Sequence, residues 1–146
     1  MPTDTDSRPA ALVTGLVDAV WNDRDLDAAD DLLADDYVGH GYDDGDIDRE
    51  GYKAFVEKHF GLFPDLTMTV RNTVVEDDRV AAHWEITGTH EAPVLGIEPT
   101  GERVTVPGMT IYRIEDGHVA DDWTIPDVRS LLRQLGAGPH ALAGQQ

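Results

Sequence analysis

GERVTVPGMTIYRIEDGHVADDWTIPDVRSLLRQLG, residues 101–136, decides the fold of this chain. The stretch predicts two long strands, 102–115 and 118–125, joined by a tight turn at Asp116-Gly117, a pair suited to hairpin turns. Asp127 is placed to cap a short helix over 128–135, and Gly136 to close it. Val104 and Val106 point one way and Met109 and Ile111 the other, because side chains alternate across a sheet. Apolar residues therefore occupy both faces. One face can cover helices or line a cavity; the other needs a cover too, and a second copy of the chain is the simplest.

Upstream of this stretch the pattern is first helical and then extended. Residues 1–7 read as a loose polar tail, as do 137–146 at the other end. Leu12, Leu16, Val17, Val20 and Trp21 share one face of a helix. Asp25 or Asp27 caps a second short helix carrying Leu26, Leu32 and Leu33, after which Asp36-Tyr37-Val38 turns extended. An acidic turn, Asp43-Asp44-Gly45-Asp46, precedes a third helix capped by Asp48 and ended by Pro64. Tyr52, Phe55, Val56, His59 and Phe60 lie on one side of it. From Leu66 to Ile125 the chain reads as strands, broken by a turn at Asp77-Asp78 and a Pro/Gly loop over 92–101. Helices followed by an antiparallel meander make an α+β domain, one domain over 1–146.

Composition excludes several functions. The chain has no cysteine, which rules out a thiol nucleophile, a cysteine zinc site and disulfides. Its formal charge of -18 over 146 residues disfavours nucleic acid and anionic membranes as partners. The carboxylates, mostly aspartate, are spread along the folded pattern, as expected of a domain adapted to high salt. The N-terminus has no basic and apolar leader, and no apolar run is long enough to span a bilayer, so a cytoplasmic protein is expected. No His-x-x-x-His or clustered His/carboxylate spacing occurs, so a metal is not expected, and neither a Gly-x-Ser-x-Gly elbow nor a phosphate-cradling glycine loop is present.

A series of short motifs runs through the chain in order: Trp21-Asn22, the segment from Leu32 to Val38 with His40, Gly51-Tyr52-Lys53-Ala54-Phe55, and Phe63-Pro64-Asp65-Leu66. It continues through Gly88-Thr89-His90, the segment from Gly96 to Gly101, the segment from Tyr112 to Gly117, Trp123, and Arg133-Gln134-Leu135-Gly136. On these residues the chain, from 8 to 136, resembles the SnoaL-like group of the NTF2-like superfamily. The resemblance implies an NTF2-like cone: a curved, mostly antiparallel sheet, three N-terminal helices enclosing an apolar pocket, and a short C-terminal helix. It also implies polyketide-cyclase chemistry, a cofactor-free intramolecular aldol closure in which a pocket aspartate moves a proton and a histidine assists. Aligned on the Asp116-Gly117 turn, that aspartate falls on Thr124 and that histidine on Thr110, and neither hydroxyl titrates near neutral pH.

The acid/base role must then fall elsewhere. Asp122 shares the face of Thr124, and is either the replacement proton carrier or one more surface aspartate; Asp121 faces the other way. His40 or His90 is expected to assist Asp122; His40 otherwise belongs to the surface, and His90 otherwise holds the following loop. Trp84 rather than His83 is expected to face the cavity. Tyr37, Phe55, Phe63, Trp84, Thr110, Tyr112, Trp123 and Thr124 are the candidate contacts for a small apolar or aromatic ligand. The expected function is cofactor-free cyclase, isomerase or hydratase chemistry on such a molecule, in a homodimer. A non-catalytic binding module is the alternative, and a protein-interaction scaffold using the outer sheet face is a third class.

Overall fold

Alternation and caps set the elements of the computed structural model, which describes residues 3–42 and 45–136. The expected C-terminal tail, residues 1–2 and the Asp43-Asp44 part of the acidic turn lie outside the described residues. Helix α1 (Thr3–Leu16) runs into a π-helical segment, Val17–Asn22. The helix thus starts inside the expected polar tail. Helix α2 (Ala28–Leu32) stops one residue short of the reading, and Leu33 already opens strand β1 (Leu33–Tyr42).

A three-residue strand β2 (Gly45–Ile47), not anticipated, pairs with β1. Asp48 caps helix α3 (Arg49–Leu62), its carboxylate accepting the Gly51 N–H at 2.8 Å. Strands β3 (Thr67–Glu76), β4 (Arg79–Thr89), β5 (Arg103–Glu115) and β6 (His118–Pro126) form the meander. Asp116 and Gly117 both take positive φ (53° and 78°), as their hairpin turn demands. Asp127 caps helix α4 (Val128–Gln134) through the Ser130 N–H at 2.9 Å.

The sheet runs β2-β1-β6-β5-β4-β3, with every pairing antiparallel except β1 with β6. It is curled and unclosed. Helix α1 packs on β3 and β4, α3 on β1 and α4 on β5. The inner face of β5 presents Val104, Val106, Gly108, Thr110 and Tyr112, all buried, whereas Met109 and Ile111 are exposed on the outer face. Two reciprocal hydrogen bonds tie the π-helical segment to the sheet, since Asn22 both donates to and accepts from the Met68 backbone at 2.8 Å. Among the described residues, no helix is long and apolar enough to cross a membrane.

Candidate functional site

The curl leaves a cavity of about 320 Å³ between the inner sheet face and the helices, in the size range of small-molecule pockets. Trp21, Phe55, Phe63, Met68, Trp84 and Val106 supply apolar wall, and Tyr42, Tyr52, Tyr112, Thr110, Thr124 and Asp122 supply polar atoms. Helix α3 adds Lys58 and His59, and the loop after β4 adds Pro93, Val94 and Leu95.

Asp122 is the carboxylate on this wall, 1% exposed. Two phenols hold it: Tyr37 donates to Oδ2 at 2.8 Å and Tyr42 to Oδ1 at 3.0 Å. Burial pushes its pKa up to about 6, against the pull of both phenols and of His40. The same burial, with the Asp122 charge beside them, keeps Tyr37 and Tyr42 protonated and so fixed as donors. Tyr52 and Tyr112 are likewise raised, by burial first. A carboxylate with a pKa near 6 in an apolar cavity is mostly ionised at neutral pH yet basic enough to hold a proton, which suits a group that takes and returns one.

The register explains how these groups meet. Tyr112 pairs with Asp122 and Thr110 with Thr124, giving two adjacent inward rows. Gly39, paired in parallel with Asp122, leaves space for both phenols. A Cβ there would lie 2.6 Å from the Tyr37 hydroxyl and 2.7 Å from Tyr42 Cε1. Tyr42 reaches the inside because the β1–β2 register shifts between Gly39 and Tyr42, with Gly41 at φ 79°. Strict alternation from Tyr37 would have turned Tyr42 outward. That irregularity hid Tyr42 from the sequence reading. His59 was also missed, as one more residue on the buried side of a helix. Its Nδ1 donates to the Phe55 carbonyl at 2.9 Å.

Several expected site residues lie elsewhere. His40 and Trp123 do not line the cavity: they stack on the outer face, ring centroids 4.8 Å apart and planes 9° from parallel. Asp121 is out there too, receiving Arg113 Nε at 2.6 Å and facing His40 Nε2 at 3.3 Å. From Asp121 to Ile125, odd and even positions of β6 thus divide between the two faces. His90 is fully buried but away from the cavity wall. Its Nδ1 accepts the Thr100 N–H at 3.1 Å, and its backbone bonds Glu102 and Gly101, so it staples both ends of the loop. Tyr37 stands behind the wall and acts on the cavity through Asp122. Phe55, Phe63, Trp84, Thr110, Tyr112 and Thr124 line it, and His83 lies outside against Asn72. Among the described residues, no three His, Asp or Glu side chains converge as a metal site.

Residues 11–135 match the family model described as SnoaL-like polyketide cyclase. The chain belongs to the SnoaL-like polyketide cyclase family. It is similar to nogalonic acid methyl ester cyclase of Streptomyces nogalater, with 28% identity over 81% of this chain and 90% of that one. The structure of IdmH, a candidate polyketide cyclase from Streptomyces antibioticus, superposes with a TM-score of 0.79 at 32% identity, covering 88% of this chain and 98% of IdmH. AclR of Streptomyces galilaeus, a candidate hydroxylase, gives the same TM-score at 31% identity over 92% of this chain and 84% of its own. SnoaL-like relatives thus carry names of more than one reaction on one fold, and the wall residues must decide among them.

Proposed function

We propose that this SnoaL-like protein catalyses cofactor-free proton transfer at carbon in a small aromatic carbonyl compound, as in an aldol ring closure. Asp122 is the proton carrier. Its ionised carboxylate takes the proton from the carbon next to a carbonyl, and the C–H electron pair becomes the C=C bond of an enolate. The enolate carbon attacks a second carbonyl carbon of the same molecule, forming the ring bond. The new alkoxide takes the proton back from Asp122, which returns to its ionised form. The observation that carries this reading is the burial of Asp122 between two phenols on the wall of an apolar cavity. The name of the Streptomyces nogalater relative supports the ester-bearing polyketide as the compound to try first.

Two probes test it. Nogalonic acid methyl ester reports ring closure by chromatography and mass spectrometry. 2-Tetralone, a bicyclic ketone with a fused benzene ring, reports α-proton exchange in D2O by NMR. We expect exchange above the buffer rate, abolished in Asp122→Asn. Binding of both probes without closure or exchange would leave a non-catalytic binding module, and failure of both to bind would remove the aromatic-ligand reading.

We further infer that the outer sheet face mates with a second copy of the chain, and that the acidic surface is an adaptation to high salt. Met109 pairs with Ile125 and Ile111 with Trp123 across β5 and β6, forming an exposed apolar block that supports a dimer.

A further inference from the structure

On the inner wall, one row from Asp122, three side chains form a hydrogen-bonded chain. Trp84 Nε1 lies 2.9 Å from Thr110 Oγ1, and Thr110 Oγ1 lies 2.7 Å from Thr124 Oγ1. An indole N–H can only donate, so Thr110 Oγ1 accepts it and has its own proton to place. The Thr124 hydroxyl, 2.7 Å away, and the Tyr112 hydroxyl can both take that proton; given to Thr124, it leaves Thr124 with its own proton to give onward. Thr110 is 4% exposed, whereas Thr124 is half-buried and lines the cavity. The arrangement is built into the sheet. Gly108, opposite Trp84 in the β4–β5 register, has no side chain because the Trp84 six-membered ring occupies that space; a Cβ would collide with Cη2 and Cζ2. A side chain at Gly108 would push the indole out of the orientation that aims Nε1 at Thr110.

From this we infer that the Thr124 hydroxyl is the donor that binds the carbonyl oxygen of the substrate, polarised by the Trp84–Thr110 chain behind it. The inference rests on the proton-transfer reading above and narrows its substrate class. Asp122 and Thr124 stand two residues apart on one face of β6, about 7 Å along the strand. A ligand spanning them presents an acidic C–H to the carboxylate and, one carbon away, a carbonyl oxygen to the hydroxyl. The compound is therefore a ketone or ester whose α-carbon reacts, rather than an alcohol or an alkene. As the proton leaves for Asp122, negative charge grows on that oxygen, and the Thr124 O–H bond to it strengthens without transferring its proton. Hydrogen bonds along a chain polarise one another, so Trp84 and Thr110 make Thr124 a better donor than an isolated hydroxyl. The two threonines that stand where the resemblance places a histidine and an aspartate thus take part as donors rather than as bases.

The test uses 2-tetralone bound to the full chain and reads two quantities. The infrared C=O stretch of the bound ketone reports the hydrogen bond at oxygen; α-proton exchange reports proton transfer. Thr124→Val, of equal shape, should move the stretch to higher wavenumber and slow exchange roughly 100-fold, the loss typical of one donor at a developing oxyanion, mainly in kcat. Thr124→Ser should restore both. Thr110→Val, which keeps the Thr124 hydroxyl and removes the chain behind it, should give intermediate values. An unchanged stretch in Thr124→Val would overturn the inference, even if Asp122→Asn abolishes exchange. Unchanged exchange in Asp122→Asn would instead sink the proton-carrier reading, whatever the stretch does.

Discussion

Asp122 is ionisable in a place that disfavours its charge, and this sets both its use and a penalty. Its folded pKa of about 6 lies above the ordinary 3.8. Between those values the folded chain keeps a proton that the unfolded chain has lost. Stability attributable to this group therefore falls as pH rises from about 4 to 6 and is level above. The difference in pKa corresponds to about 3 kcal/mol at neutral pH. Asp122→Asn, neutral throughout, should gain on the wild type as pH goes from 4 to 7.5, visible as a widening gap in Tm. A gap of the same size at both pH values would show that burial does not hold the proton on. Activity should run the opposite way, with log kcat/KM climbing as pH rises toward 6 and levelling beyond it. How much of the site was legible turns on parity. Asp122, Thr110, Thr124, Tyr112 and Trp84 follow from plain strand alternation. Tyr42 does not, because one irregular residue pair at Gly41 reverses its face.

Among the elements, the family-like motifs turn out to be joints. Phe63-Pro64-Asp65-Leu66 and Gly88-Thr89-His90 lie 20 and more residues apart in sequence, yet they lock the end of α3 to the end of β4. Asp65 accepts the Thr89 N–H at 2.6 Å and the Thr89 hydroxyl at 2.8 Å, while Gly88 lies against Phe63. A Cβ on Gly88 would stand 2.7 Å from the Phe63 Cβ, near the backbone and unable to swing aside. Gly88→Ala should accordingly destabilise the fold by about 1–3 kcal/mol, the range for overpacking a filled site, and loosen the Phe63 wall of the cavity. Chemical denaturation measures the first; a midpoint equal to the wild type would show that the joint yields. Trp21-Asn22 is a joint of the same kind, with Trp21 Nε1 donating to Tyr52 at 2.9 Å and Asn22 clamping β3. The helix caps at Asp48 and Asp127 and the Asp116-Gly117 turn were readable because each is a local act of one or two residues. Strand β2 was not, since three residues without alternation leave no periodic signal. The outward place of His40 follows from plain alternation after the inward Tyr37; what the sequence hid was its partners, Trp123 and Asp121, which come from β6, about 80 residues downstream.

For the whole molecule, two features pull against each other: an apolar outer face and a formal charge of -18. Ile125 is 74% exposed and Met109 50%, and they pair directly across β5 and β6. Burying such side chains against a second copy releases roughly 1.5–3 kcal/mol each when complete, so a few of them suffice to favour association. Two chains of like charge oppose it. That opposition reaches about 30 Å at 0.01 M salt but only about 3 Å at 1 M, whereas the apolar attraction does not weaken with salt. The dimer should therefore tighten progressively as salt is raised, and the folded chain should stabilise in parallel. Sedimentation equilibrium across a salt series, with thermal melts on the same samples, reads both. Ile125→Glu should leave the protein monomeric at every salt concentration while its melting keeps the salt dependence. A wild type that stays monomeric at 1 M would remove the second copy as the cover of this face. A dimer of constant strength, with melting indifferent to salt, would keep the dimer and remove the salt adaptation, because the repulsion it answers would then be absent.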